Sequence, residues 1–121
     1  MRLQEQRHRA GQTERVHFDG YVEAVLAVVE QVPAGRVTSY GTIAEYLGAA
    51  GPRQVGAVLA AYGAAVPWWR VVRADGTLPD RHRAQAHARY REEGTPLHDR
   101  SRHPRVDMAR AHWEPAPPRQ P

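Results

Sequence analysis

The fold of this chain is decided by the stretch SYGTIAEYLGAAGPRQVGAVLA, which runs from Ser39 to Ala60. Apolar residues recur with helical spacing on both sides of a glycine-containing turn. A first short helix is expected over 40–47, capped by either Ser39 or Thr42, with Gly48 in the left-handed position after it. A second helix begins at Pro52, since proline is favoured in a first turn. Two short helices joined by such a turn predict a helix-turn-helix.

The surrounding segments predict a support helix and a small wing. A helix from Asp19 to Gln31, with Asp19 as its N-cap, has apolar residues along one face. After the helix-turn-helix, the pair Asp75-Gly76 predicts a hairpin turn between short extended pieces. A last helix is expected from about residue 80 to Glu92, ended by Gly94. The predicted fold is therefore mainly α, a small winged helix-turn-helix-like domain with a short β-hairpin or wing.

The length of 121 residues fits one domain with tails and leaves little room for a second core. Residues 1–17 are polar without periodicity and are predicted to form a flexible tail. The domain is expected over 18–97. Residues 98–121 are basic and then proline-rich, and we predict disorder there, with a short helix before Trp113 as the alternative.

The charge favours a polyanionic partner. The formal net charge is +4, the sequence pI is about 10.1, and all 17 Lys-plus-Arg positions are arginine. Arginine suits bidentate contact with phosphate and stacking on bases. The chain has no cysteine, which excludes disulfides and thiolate chemistry.

Targeting and metal signals are weak. No apolar run approaches the roughly 20 residues that span a bilayer, and the N-terminal residues lack the hydrophobic core of a signal peptide. A cytoplasmic protein that does not bind membranes is therefore expected. His82 and His87 fall on different helical faces without neighbouring ligands, so neither a metal nor another cofactor is expected.

The helix that begins at Pro52 has an unusual outer face. Gly56, Ala57 and Ala60 lie where a surface helix usually carries long charged side chains, and Arg53 stands at its N-terminal end. Small residues allow the backbone to approach another surface closely. That surface is either nucleic acid or a packed fourth element, and this feature alone does not decide between them.

Several motifs occur in a fixed order along the chain: Val32–Ala44, Arg53–Leu59, Pro67–Val72, Asp75-Gly76 and Arg91–Gly94. Together they resemble the signature of the O6-alkylguanine-DNA alkyltransferases from about Tyr21 to Glu93. The resemblance implies a recognition helix that enters the DNA minor groove, which requires small residues at Gly56, Ala57 and Ala60. Gln54 joins this surface as a base-reading side chain.

The resemblance also implies nucleotide flipping. Arg53 falls where the family inserts an arginine into the base stack, filling the gap left by an extruded guanine. Tyr40 falls where the family's tyrosine crowds the 3′ phosphate and promotes rotation of the nucleotide. Extrusion costs a few kcal/mol, and less for a poorly paired damaged base.

The chain departs from the family at the nucleophile. Trp68 stands at the position of the alkyl-accepting cysteine, Trp69 at the activating histidine and Tyr62 at the supporting asparagine. Only the acid, Glu93, remains, and it is interpreted as structural. Because indole carries no thiolate, alkyl transfer at this position is chemically excluded.

This pattern is similar to the alkyltransferase-like proteins, a non-catalytic branch of the family. The resemblance implies binding of O6-alkylguanine in duplex DNA without repair and transfer of the lesion to nucleotide-excision-repair proteins. We expect a monomer that acts as a binding protein and not as an enzyme.

The lesion pocket is predicted around Trp68, whose ring forms an aromatic wall for a flipped base. Trp69 is expected more as core filler than as a base contact. Arg70 is assigned a structural or phosphate contact. The binding loop over the base is predicted to consist of Val72, Arg73, Gly76 and Thr77.

Two other hypotheses stay open. A transcription regulator would read an undamaged sequence through its helix-turn-helix and form a dimer, although Arg53 and Gln54 are the only base-reading side chains offered. An enzyme with another nucleophile would use Tyr40 or Glu93.

Overall fold

The computed structural model describes residues 20–98 and 105–116. Its helices and strands, in chain order, are α1 (residues 20–31), β1 (Thr38–Ser39), α2 (Tyr40–Leu47), α3 (Pro52–Tyr62), β2 (Val71–Val72), α4 (Arg83–Glu93), β3 (Leu97–His98), β4 (Arg105–Val106) and α5 (Met108–Ala111). Short 3-10 turns cover Gly63–Ala65, Trp68–Arg70 and Asp80–His82. No helix within these described ranges is both long and apolar enough to cross a membrane.

Helix α2 begins where its cap predicts. The Ser39 hydroxyl accepts a hydrogen bond from the Thr42 backbone N–H at 3.0 Å, so Ser39 and not Thr42 is the cap. The helix ends at Gly48, whose φ of 67° lies in the left-handed region. Local sequence chemistry therefore determines both ends of this helix.

Helix α3 begins at Pro52, as predicted, and the backbone N–H of Gly51 donates to the Gln54 side-chain oxygen at 3.0 Å. Val55 and Val58 are buried against the helices around them. The helical spacing of Tyr62 with Val58 and Leu59 predicts that its side chain is buried too, but Tyr62 is 51% exposed. Helix α3 ends at this residue, and the following Gly63 takes the inward position against Leu59 instead.

Helices α1, α2 and α3 enclose the first core. Val25 and Val29 of α1 meet Ile43 of α2 and Val55 of α3, and each of these four side chains is fully buried. The apolar face predicted for α1 is thus the face that packs. The proposed cap, Asp19, lies outside the described residues.

A two-stranded parallel sheet joins this core to the second half of the chain. Thr38 is paired with Val71, and Ser39 with Val72. Parallel strands need a crossover, and α2 and α3 provide it. The second half of the chain has a core of its own. Its buried members are Val37, Val72, Leu78, Ala86, Tyr90, Val106 and Ala111.

The prediction of disorder over 98–121 is wrong for residues 105–116. Val106 and Ala111 are fully buried in the second core, and Trp113 packs against the first. The Arg36 side chain donates to the carbonyl oxygens of Ala111 and His112, each at 3.0 Å. The segment is held by backbone pairing between Val37 and His112 and by the hydrogen bonds of Arg36. Such contacts do not require a periodic apolar pattern in the sequence of the segment. Residues 1–19, 99–104 and 117–121 lie outside the described residues.

The predicted hairpin at Asp75-Gly76 is a tight turn without a hairpin around it. The Arg73 N–H donates to the Thr77 carbonyl at 2.8 Å, but β2 pairs with β1 and not with the chain after the turn. The antiparallel pair of the described chain is β3 with β4. The physical reason is that the Gly76 carbonyl accepts from the Val106 N–H at 3.0 Å, so the turn docks on β4.

Gly76 provides a stability test of this docking. Its φ is 85°, and a Cβ there would overlap the Val106 carbonyl oxygen. Gly76→Ala should lower the free energy of unfolding by at least about 3 kcal/mol, combining backbone strain with steric overlap. Gly48→Ala is the control, because its φ is 67° with no atom within 4 Å, and should cost only about 1 kcal/mol. Urea unfolding measures both values, and equal losses would contradict this packing.

Candidate nucleic-acid interface

A cavity of about 410 Å³ opens beside α3. Its walls come from the starts of α2 and α4, the outer face of α3, and the three 3-10 turns between α3 and α4. The lining residues are Tyr40, Gly56, Leu59, Ala60, Gly63, Ala64, Trp68, Leu78, Pro79, Arg81, His82 and Gln85. The volume is of the size that holds a small ligand.

The predicted DNA-binding residues lie on one surface. Tyr40, Gly56 and Ala60 line the cavity itself. Arg53 and Ala57 are exposed on the adjoining face of α3. No described element covers Ala57 or Ala60, which counts against helix–helix packing as the reason for the small residues.

Gln54 lies on the same face, and it is exposed. Its side-chain oxygen already accepts a hydrogen bond from the Gly51 backbone N–H at the N-terminus of α3. A base contact by this oxygen would leave that backbone N–H to water.

Tyr40 is half-buried at the first position of α2, with its ring beside Gly56. Burial raises the pKa of the Tyr40 hydroxyl, and the nearby Arg73 guanidinium offsets part of that rise. The phenol therefore stays protonated at neutral pH. It can donate a hydrogen bond, but it is not an activated nucleophile, which disfavours the enzyme hypothesis at this residue.

Of the predicted lesion pocket, Trp68 lines the cavity, whereas Trp69 and Arg70, which follow it, do not. The Trp69 indole N–H donates to Glu93 Oε1 at 3.0 Å. Arg70 forms an ion pair with the same carboxylate, with Nη2 at 2.6 Å from Oε1. Arg70 also donates to the Val32 carbonyl at 2.9 Å. These contacts are structural.

Glu93 holds this part of the chain together. Burial acts to raise the pKa of its carboxyl, but hydrogen bonds from Arg70, the Gly35 N–H and the Trp69 indole outweigh it and hold the pKa below the ordinary value. Both oxygens are engaged by donors. The acid is ionised and structural, so it is poorly placed to attack an alkyl carbon.

The remaining predicted pocket residues do not line the cavity. Val72 is fully buried in the second core, and Gly76 is buried against Val106. Arg73 and Thr77 lie in the turn that docks on β4. The resemblance implied that these residues form the binding loop over the base, but β2 pairs with β1 and Val72 packs in the second core.

Sequence reasoning missed the wall of the cavity that precedes α4. It consists of Leu78, Pro79, Arg81, His82 and Gln85. The His82 ring lies 5.6 Å from the Trp68 ring, centroid to centroid. No local sequence pattern predicts this wall, because its position depends on how α4 packs against the turn Trp68–Arg70.

Residues 21–95, more than half of the chain, match the family model of the 6-O-methylguanine DNA methyltransferase DNA-binding domain. The chain belongs to this family. The matched range contains the helix-turn-helix, Trp68 and Glu93. This member of the family has no cysteine, and the indole of Trp68 lies on its cavity wall.

Curated relatives and solved structures agree with that assignment. A DNA base-flipping protein of Vibrio parahaemolyticus is 36% identical over 64 residues, which is 50% of this chain and 64% of the relative. The DNA base-flipping protein of Escherichia coli is 40% identical over 63 residues, which is 50% of this chain and 49% of the relative. The domain thus spans about half to two thirds of the length of these relatives.

The crystal structure of S. pombe Atl1 in complex with damaged DNA containing O6-carboxymethylguanine superimposes with a TM-score of 0.70 at 30% identity. The match covers 80% of this chain and 97% of the S. pombe chain. A second structure, S. pombe ATL in complex with DNA, gives a TM-score of 0.69. The mainly helical fold with its helix-turn-helix is shared.

The Glu93 contacts predict a pH-dependent stability. Because the folded-state pKa is depressed, the stabilisation is present above the ordinary value of 4.5 and is lost as the pH falls through the lower folded value. Glu93→Gln should cost about 3 kcal/mol at pH 7 because it leaves Arg70 unpaired. The difference from the parent protein should narrow as the pH falls below 4.5.

Glu92→Gln is the matched control, because the Glu92 side chain is 63% exposed and lies 3.5 Å from Arg89. It should change stability by less than about 0.5 kcal/mol. Chemical denaturation of the three proteins at pH 7 and at pH 3.5 measures these differences. A Glu93→Gln penalty that is the same at both pH values would show that its charge is not the source.

Proposed function

We propose that this chain binds duplex DNA containing O6-alkylguanine and flips the damaged base into the cavity beside Trp68, without transferring the alkyl group. One observation carries the proposal. In a chain without cysteine, an indole ring lines a cavity of about 410 Å³ that adjoins the exposed small-residue face of α3. The base-flipping relatives and the DNA complexes of the S. pombe protein support the same function.

The DNA-binding step rests on the outer face of α3. Its small side chains allow the helix backbone to enter a minor groove, and Arg53 projects from its exposed N-terminal end. On flipping, Arg53 fills the space that the base leaves, where stacking and charge offset part of the extrusion cost. Tyr40, between this face and the cavity, directs the rotating nucleotide.

The binding step leaves the lesion unchanged. Trp68 has no thiolate, and the carboxylate of Glu93 accepts hydrogen bonds from three residues, Gly35, Trp69 and Arg70. A base stacked on an aromatic ring gains about 1–3 kcal/mol. Recognition leaves the protein bound to DNA at a flipped, unrepaired guanine. In this proposal the protein acts as a monomer, and nucleotide-excision-repair proteins then recognise the complex.

Lesion binding is tested with fluorescence anisotropy on two duplexes that differ only in guanine against O6-methylguanine. We expect the lesion duplex to bind about tenfold more tightly, because a poorly paired O6-methylguanine costs less to extrude than a paired guanine. Arg53→Ala should reduce that preference. Arg110→Ala removes an exposed arginine of α5 outside the site and should not. Equal binding of the two parent duplexes would refute lesion recognition, and a shifted protein mass after incubation would refute the non-covalent mechanism.

The close approach of α3 is tested by steric blocking. Ala57 is exposed, so Ala57→Leu should leave stability unchanged within about 0.5 kcal/mol. It should weaken binding to both duplexes by at least about tenfold, because a larger side chain holds the helix away from the groove. Ala88→Leu, at an exposed position of α4, is the control and should not affect binding. Unchanged binding by Ala57→Leu would place the interface elsewhere.

A further inference from the structure

The cavity beside Trp68 is not chemically uniform. Leu59, Leu78 and Pro79 give it apolar walls, while Arg81 and His82, in the 3-10 turn before α4, contribute a guanidinium and an imidazole. The wall that precedes α4 is therefore suited to an anion, and this property is separate from the stacking surface that Trp68 offers.

His82 is the residue that joins these two properties. Two rings of the described residues lie beside the Trp68 ring: Trp69 at 5.7 Å with nearly perpendicular planes, and His82 at 5.6 Å with planes tilted by 58°. Trp69 is bonded to Glu93 and does not line the cavity. His82 does line it, and its side chain is exposed. A substituent that extends past the Trp68 ring within the cavity meets the imidazole.

We infer that His82 is a specificity-determining residue, which favours O6-alkylguanines whose alkyl group ends in a carboxylate over those with an uncharged alkyl group. The inference rests on the proposed function and deepens it. An imidazole N–H donates to a carboxylate oxygen but gains nothing from a methyl group. The Arg81 guanidinium on the same wall adds attraction of the same sign, and Tyr40, which also lines the cavity, is an uncharged phenol.

The test uses three matched duplexes, with guanine, O6-methylguanine or O6-carboxymethylguanine at one position, titrated with the full chain. The quantity measured is the ratio of the two lesion affinities. His82→Phe keeps a ring beside Trp68 and removes the N–H donors. His87→Phe is the control, because His87 packs toward Tyr90 at 6.1 Å and does not line the cavity.

We expect the parent protein to prefer the carboxymethyl duplex over the methyl duplex, and His82→Phe to lower that ratio by about fivefold or more. His87→Phe should leave the ratio unchanged. A parent ratio of one, or equal weakening of both lesions by His82→Phe, would overturn the role of His82 and leave lesion recognition intact. Failure to separate O6-methylguanine from guanine would instead overturn the proposed function itself.

Discussion

The carboxylate of Glu93 is the constraint on which the site depends. Glu93 is the last residue of α4. The groups that donate hydrogen bonds to its carboxylate come from the loop after α1 and from the 3-10 turn Trp68–Arg70. The ion pair with Arg70 is largely buried, with side-chain exposures of 17% for Arg70 and 12% for Glu93. Since Trp69 and Arg70 are fixed in this way, the direction of Trp68 into the cavity is fixed too.

The same arrangement explains how the fold retains its shape with tryptophan at positions 68 and 69. The Trp69 indole has one N–H, and Glu93 accepts a hydrogen bond from it. The Tyr90 hydroxyl donates to the Trp69 carbonyl at 2.6 Å, and the Arg89 guanidinium lies 4.8 Å from the centre of the Trp69 ring. A large aromatic side chain is thus accommodated by polar contacts at its edge and a cation on its face. Binding geometry and nucleophilic chemistry are separable in this scaffold.

The helix ends that depend on local interactions were predicted from the sequence. The start of α2 at its Ser39 cap, its end at Gly48 and the start of α3 at Pro52 follow from single residues whose preferences act over one turn. The order of motifs predicted the family. These features need no knowledge of distant contacts.

What the sequence did not predict depends on long-range pairing. Residues 105–116 pack because Val37 pairs with His112 and Arg36 binds the carbonyls of that segment, contacts between positions about 75 residues apart. The cavity wall at Arg81 and His82 depends on how α4 returns toward Trp68. The assignment of Val72 to the pocket failed because β2 pairs with β1, and a two-residue strand carries too little pattern to show its direction.

The most direct measurement is a crystal structure of this chain with a duplex that contains O6-methylguanine. We expect the modified guanine to lie outside the double helix, in the cavity with its ring against Trp68, with Arg53 in the base stack and no covalent bond to the protein. A lesion that remains stacked and paired in the duplex, with the cavity empty, would contradict it.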